Sequence, residues 1–404
     1  MAIVPLRQFV VKVTSRCDLR CDHCYVYEMT DRRWRGRPAR MPAATVDRLA
    51  SRIAEHVRRH GLRRVDLALH GGEPLLAGVR LLRRCVTSVR EAVPDGVEVR
   101  ACLQTHGLLL DDDWLEVLLD LDVRVGISLD GDREAQDRHR RDAHGCGIHA
   151  GVMEAVARLR AEPFQRLFSG FLCTVDLGND PLATYEALVE HAPPCIDFLL
   201  PHGTRLAPPP ALGPGTRGTP YGDWLVVAFD RWYGDPEQRV RVRLFDSVLA
   251  LLLGGASSVE SVGCGPLASI VVETDGGIEQ SDLLTCAFEG AGSTGMHVDR
   301  DSFDDVLALP ALRSEQAGPA GLCARCRACD VVAVCGGGIR AHRYGPGGFD
   351  HPSVYCADLR RLIEHVRDRV SADLAAVHGA APAGLPPPVA ALAGSGYGAR
   401  PGAP

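Results

Sequence analysis

The chain has 404 residues, a formal net charge of −6, 46% hydrophobic and 24% charged residues. That composition can fill one large and one small core, and the acidic balance excludes a protein built to ride a phosphate backbone. No apolar run reaches membrane-spanning length, and the opening MAIVPLRQ lacks the zones of a signal peptide, so a cytoplasmic protein with no membrane or nucleic-acid partner is expected. In that reducing compartment fifteen cysteines point to metal or redox sites in preference to disulfides.

Residues 7–14 (RQFVVKVT) read as a short strand that delivers a loop, residues 14–28. In this loop Cys17, Cys21 and Cys24 stand as C-x3-C-x2-C, with Tyr25 directly behind. Three thiolates so close can share one iron–sulfur cluster. A cubane takes four cysteines, so three leave one iron open for another ligand. Zinc closed by His23 as fourth ligand is the alternative.

Residues 43–60 have helical periodicity, with Val46, Leu49, Ile53 and Val57 on one face. Strands follow at 64–70, 98–105, 124–129, 169–175 and 195–200, separated by helices at 75–93, 111–121, 148–160 and 181–191. Regular alternation implies a parallel sheet, and right-handed crossovers curl it into an incomplete barrel of six units. Chemistry in such folds sits at the C-terminal strand ends. The unusual residues fall there in turn: the three cysteines, then Gly71-Gly72-Glu73-Pro74, Gln104-Thr105-His106, Ser128 and Asp130, Thr174 and His202.

Residues 201–220 are rich in Pro and Gly and read as the exit from the barrel, followed by helical stretches at 221–233 and 244–253. Residues 270–274 and 278–280 around Asp275-Gly276-Gly277 read as a hairpin. Then come Cys323, Cys326, Cys329 and Cys335, with Cys356 beyond. A cluster of this density needs a metal; zinc in a ribbon or a second iron–sulfur centre both satisfy it. The Pro/Gly/Ala-rich residues 380–404 read as a disordered tail. Cys85, Cys102, Cys146, Cys173 and Cys195 read as packed core thiols. His70, His106, His202 and His342 flank site elements and are expected to be hydrogen-bond partners.

The three-cysteine loop with its trailing aromatic resembles that of the radical S-adenosylmethionine (SAM) enzymes, and the later cysteines resemble their SPASM domain. The resemblance implies a partial (β/α)6 TIM barrel at 1–205, bridging helices at 206–262, a smaller SPASM-like iron–sulfur domain at 263–370, and a tail at 371–404. It implies a SAM-binding [4Fe-4S] cluster on Cys17, Cys21 and Cys24. SAM is expected against Gly71, Gly72, Glu73, Pro74, Thr105, Ser128 and Asp130. One auxiliary [4Fe-4S] cluster is expected on Cys326, Cys329, Cys335 and Cys356, with Cys323 and Cys286 as possible competitors. Ser281 and Ile339 stand where a second auxiliary set would need cysteines, and only Cys264 remains of it.

CDLRCDHCYVYE with Trp34 and Arg35, VVETDGGIEQSDLL, and CGGGIRAHRYG with GFDHPSVYC resemble the FxsB-type branch. That branch matures ribosomally made precursor peptides by joining an aromatic ring to a side-chain β-carbon, forming a cyclophane. The implied partners are such a peptide and an electron donor such as flavodoxin or ferredoxin. Asp282 and His342 are the candidates for the catalytic base. Formylglycine formation or peptide epimerisation on the same scaffold, and a zinc-stabilised peptide-binding adaptor, are the alternatives.

Overall fold

The computed structural model describes residues 3–213 and 215–378. Strand β1 (Gln8–Lys12) is followed by helix α1 (Ala43–His60). The alternation runs on through β2 (Arg64–His70), α2 (Val79–Ala92), β3 (Glu98–Thr105), α3 (Asp112–Asp120), β4 (Val123–Ser128), α4 (Arg133–His139), α5 (His149–Arg160), β5 (Phe168–Thr174), α6 (Pro181–Val189) and β6 (Cys195–Leu199). These strands lie parallel and in sequence order, the arrangement of a partial (β/α)6 barrel. In α1 the expected face is the buried one, and Gly61 ends the helix in the left-handed conformation at φ 58°.

Two details of this half differ from the sequence reading. The helix expected over 75–93 is a 3-10 turn (Pro74–Ala77) and then α2, parted by Gly78 at φ 83°. Helix α4 has too few turns to show a periodicity. It is started by Asp132, whose side chain accepts from the Ala135 N–H.

Beyond the exit loop come α7 (Pro220–Tyr233), the two-residue β7 (Arg241–Val242) beside β6, and α8 (Arg243–Leu252). The remainder holds β8 (Ser269–Val272), β9 (Gly277–Glu279), β10 (Ser293–His297), the short helices α9 (Phe303–Leu307), α10 (Pro310–Glu315), α11 (Ala324–Arg327) and α12 (Val332–Cys335), and the long α13 (Cys356–His378). The expected hairpin is β8–β9, paired antiparallel. It is not a separate sheet. β8 also pairs parallel with the free side of β1, from Gln8↔Ser269 to Val11↔Val272. One sheet of order β10-β9-β8-β1-β2-β3-β4-β5-β6-β7 therefore crosses the boundary expected at 262/263.

Helix α13 continues past the expected domain end at 370, and the rest of the expected tail lies outside the described residues. It packs on α7, where Asp358 accepts hydrogen bonds from the N–H groups of Tyr221 and Gly222 at 2.9 and 3.0 Å. Among the described residues no helix is long and apolar enough to cross a membrane.

Alternation along the strands sorts side chains to the two faces of the sheet. On β1, Phe9 turns to the helical layer, against His56 of α1 and Phe303 of α9. Val10 and Lys12 therefore turn to the barrel interior, and His70, the register partner of Lys12, does the same. This interior is polar, which corrects the reading of the scattered cysteines. Cys85 and Cys173 are buried as expected. Cys102 is only half-buried, because its side of β3 faces Asp66, Arg124 and Arg243. Cys195 is half-buried too, and Cys146 is exposed in the turn before α5, its N–H held by Asp142 at 2.9 Å.

Candidate active site at the barrel mouth

The loop after β1 is tied down before its thiols are placed. Thr14 and Ser15 donate to the carbonyls of Ala39 and Pro38 at 2.7 and 2.8 Å, and the Glu73 N–H donates to the Arg16 carbonyl at 3.0 Å. Cys17, Cys21 and Cys24 then stand half-buried as free thiols. Burial pushes all three up, Cys21 to about 11, and they act on each other in series, Cys21 on Cys17 and Cys24 on Cys21. The opposing influences favour thiolate. The Leu19 N–H donates to Cys17 Sγ at 3.4 Å, the N–H groups of Val26 and Tyr27 face Cys24, and the Arg140 guanidinium acts on Cys21 and Cys24. Three soft sulfur ligands with a nearby cation, which favours them as thiolates, fit an iron–sulfur cluster. His23, the fourth ligand of the zinc alternative, converges among the described residues with Asp22 and His139 and not with the thiols: its ring lies 3.6 Å from Asp22, 3.9 Å from Asp130 and edge-on to His139.

Gly71 and Gly72 sit directly beneath this loop. A Cβ on Gly71 would come 2.3 Å from the Thr14 carbonyl oxygen. One on Gly72 would come 2.0 Å from the Tyr27 hydroxyl and 2.3 Å from the Arg16 oxygen. Their smallness is thus required first by the cysteine loop itself. Glu73 is buried and its carboxylate is fully used. It accepts from the Leu75 N–H at 3.0 Å, the Thr105 hydroxyl at 2.8 Å and the His106 N–H at 3.1 Å, and it faces the His106 ring at 3.3 Å. His106 in turn contacts Asp18 of the cysteine loop at 2.9 Å. Pro74 is buried at the start of the 3-10 turn.

The next strand ends hold a second anchored carboxylate. Asp130 takes Arg140 in a fork, at 2.6 and 3.1 Å, and the Thr174 N–H at 2.8 Å, and the guanidinium holds it below the usual carboxylate range. Ser128 is half-buried and accepts from Gln104 at 3.0 Å, which leaves its own proton free to donate to a ligand. Arg140, which carries no motif signature, was not singled out in the sequence.

Asp282 comes to the same mouth from the far end of the chain. It follows β9, and its carboxylate forms an ion pair with Lys12, the last residue of β1. The Tyr25 hydroxyl donates to the same Asp282 oxygen at 2.9 Å, and His70 stands 3.0 Å from the Lys12 ammonium. Lys12 is 3% and Asp282 15% exposed, so the pair is enclosed but the carboxylate still opens to the mouth. Lys12 and His70 outweigh burial and hold Asp282 well below the usual carboxylate range. Lys12 is legible in the sequence as a cation set among the apolar residues of its strand.

His342 reaches this group only at second hand. Its Nε2 lies 3.1 Å from His202 Nδ1, and the His202 ring stands edge-on to Tyr25 at 5.2 Å. Burial lowers both imidazoles, His202 to about 4, so each is neutral and one donates to the other.

The later cysteines gather on and beside α11, α12 and the start of α13. Cys323 is hydrogen-bonded to Cys326; Cys335 and Cys356 both act on Cys326, and Cys329 acts on Cys335 and Cys356. Cys264 lies at the edge, donating to the Val332 carbonyl at 3.3 Å and acting on Cys335. Cys286 is elsewhere, packed with Leu284 and Ala341 and donating to the Leu283 carbonyl at 3.2 Å.

Residues 11–181 match the Radical SAM superfamily. That stretch holds most of the barrel and the three thiols at its mouth, and over it the chain is similar to radical SAM enzymes. Among curated proteins it resembles the cysteine-type anaerobic sulfatase-maturating enzyme of Clostridium perfringens, at 24% identity over 91% of this chain and 97% of that protein. The serine-type enzyme of Klebsiella aerogenes is 25% identical over 85% of this chain and 82% of that protein. The solved structure "Native anSMEcpe with bound AdoMet" shares the fold, with a TM-score of 0.76, 22% identity, and coverage of 91% of this chain and 99% of that one. The same enzyme with a bound peptide superposes with a TM-score of 0.73.

Proposed function

We propose that this chain is a radical SAM peptide maturase that oxidises a side-chain β-carbon of a ribosomally made precursor peptide and joins it to an aromatic ring of the same peptide as a cyclophane. The observation that carries the oxidative part is the Lys12–Asp282–Tyr25 group at the barrel mouth, an ionised carboxylate beside the cysteine loop. An oxidation that removes a hydrogen atom and then an electron leaves one proton to be taken, and a carboxylate is a fit acceptor. Asp282 is therefore the base in this reading, and His342, 2% exposed behind His202, positions the wall of the site.

Cys17, Cys21 and Cys24 hold the first cluster, and Cys326, Cys329, Cys335 and Cys356 hold one auxiliary cluster. When bound, SAM with its cluster supplies hydrogen-atom abstraction, and the auxiliary centre supplies an electron acceptor. The chain's own residues give the rest of the chemistry its geometry. The backbone of Gly71 and Gly72 and the Ser128 hydroxyl are the groups that would hold SAM. Glu73, Thr105 and Asp130 act one layer back, Glu73 and Thr105 bracing the turn against the cysteine loop and Asp130 fixing Arg140. Tyr25 and Lys12 keep Asp282 charged and aimed. An electron donor such as flavodoxin or ferredoxin, and a cytoplasmic location, complete the reading.

The cross-linked product rests on the stretches around Trp34, Asp275 and Cys335 that resemble the FxsB-type branch. A second reading, formylglycine formation, draws on the sulfatase-maturating relatives, which align over most of the chain. Both need the same hydrogen abstraction and the same base. Co-expression with the peptide encoded beside the gene, followed by tandem mass spectrometry, separates them. The cyclophane appears as loss of a hydrogen pair with no backbone fragments between the joined residues. A product that reacts with a hydrazide reagent carries an aldehyde and overturns the cross-link. Asp282→Asn is expected to keep 5′-deoxyadenosine release and lose the product in either case.

A further inference from the structure

Far from the barrel mouth, on the helical side of β1, three metal-ligating side chains converge. His56 and His60 lie one turn apart on α1 and so share a face, and Asp304 of α9 approaches them from the C-terminal half. Their ligand atoms all lie within 4.8 Å of one another. His60 Nε2 is 2.5 Å from Asp304 Oδ1, and His56 Nδ1 is 3.6 Å from Asp304 Oδ2.

A simple ion pair accounts for His60, which is 23% exposed. It does not account for His56. That ring is 1% exposed, and neither nitrogen makes a well-formed hydrogen bond among the described residues. Its surroundings are otherwise aromatic, with Phe9 and Phe303 edge-on at 6.2 Å and the His60 ring at 4.5 Å. The Leu6 carbonyl is close enough to act on the ring. A buried, neutral imidazole with one nitrogen toward a carboxylate and a second-layer carbonyl at hand has the surroundings of a metal ligand. The competing cation is Arg59, whose Nε lies 3.6 Å from Asp304 Oδ2, but its side chain is 69% exposed and free to turn away.

We infer that His56, His60 and Asp304 form a binding site for a divalent transition metal of the zinc class, distinct from both cysteine sets. Two imidazoles and one carboxylate, with water in the fourth position, make a tetrahedral zinc shell. Ligand atoms bound at about 2 Å need mutual separations of a little over 3 Å. The His60–Asp304 contact must therefore open slightly and His56 close in slightly, movements within reach of side-chain rotation. A metal held there staples α1 to α9 and, through Phe303, to the outer face of β1.

The test uses the holoenzyme with its iron–sulfur centres loaded, so that the cysteines are occupied, and zinc alone as the probe. After gel filtration the wild-type protein is expected to retain about one zinc per chain and to melt at a higher temperature with zinc than without. X-ray absorption at the zinc edge is expected to show nitrogen and oxygen neighbours only. His60→Gln and Asp304→Asn, both at the edge of the cluster, should fold, keep their iron and lose the zinc and its thermal effect. A sulfur shell around zinc, equal zinc in the variants, or no retention by the wild type would overturn the site. Destabilised variants whose wild type shows no zinc response would return the cluster to an ion pair.

Discussion

Lys12 and Asp282 are the residues on which the proposed chemistry turns, because each is costly to bury without the other. Lys12→Met leaves an enclosed carboxylate without its cation and is expected to cost about 3–5 kcal/mol of stability. In the wild type the Asp282 carboxyl titrates well below its ordinary value. Its contribution to stability is therefore fully present above about pH 4 and is lost only as pH falls through the lowered folded value. In Lys12→Met burial dominates, and the same group moves up. Peptide oxidation should then acquire an acidic limb that the wild type lacks, while 5′-deoxyadenosine release does not follow it. A pH profile of both products checks this, and an unchanged profile would refute the role of the pair. The double variant Lys12→Met/Asp282→Asn should recover most of the lost stability without recovering product.

At the scale of elements, the two cysteine-bearing segments make different predictions. Replacing Cys17, Cys21 and Cys24 together by Ala should abolish 5′-deoxyadenosine with the fold retained, since the loop is held by Ala39, Pro38 and Glu73 independently of the thiols. In the C-terminal set, Cys335→Ala should lose about four irons, whereas Cys264→Ala should keep them, because Cys264 spends its thiol on the Val332 carbonyl. Iron analysis decides both, and equal loss in the two variants would mean a second auxiliary centre. Cys356→Ala tests the role of that centre. A soluble variant that still releases 5′-deoxyadenosine but makes little cross-link speaks for electron transfer, and a melted one for a structural staple. The elements themselves were largely legible. The period of α1 and the strand ends carrying Cys17–Cys24, Gly71–Pro74 and Ser128 can be read along the chain, because local patterning and turn chemistry encode them. Other features could not be read this way. Helix α4 has too little periodicity to see, and the half-burial of Cys102 depends on Arg124, its register partner on β4, and on Arg243 from the start of α8. The engagement of Glu73 with Thr105 and His106 is likewise set by where strand ends meet in space.

For the whole molecule the unreadable feature is the pairing of β1 with β8, since nothing in SIVV names its partner. That pairing makes the C-terminal half part of the barrel. It is reinforced around the cysteine loop, where Thr285 donates to the Tyr25 carbonyl at 2.9 Å, the Gly290 N–H donates to Asp31 at 3.0 Å, and Arg37 binds Glu273 and Glu279. A chain ending at residue 262 would carry β1 as an open edge and Lys12 as an unpaired buried cation. It is expected to aggregate on expression. A soluble, monomeric fragment with native circular dichroism would show that the barrel stands alone.

The same pairing sets an order of events during synthesis. Strand β1 is followed by β2 as its first neighbour, but its other neighbour, β8, is encoded only after all of β2 to β7. Until then the nascent barrel exposes a row of unsatisfied amides and carbonyls to every other chain in the cell. Sheet closure therefore waits until β8 has been made. The cysteine loop also waits, because Thr285, Gly290 and Asp282 brace it only once that strand has docked. The radical site is thereby assembled only in a chain that already carries its C-terminal half, so a truncated product stalled on the ribosome lacks the brace of a finished centre.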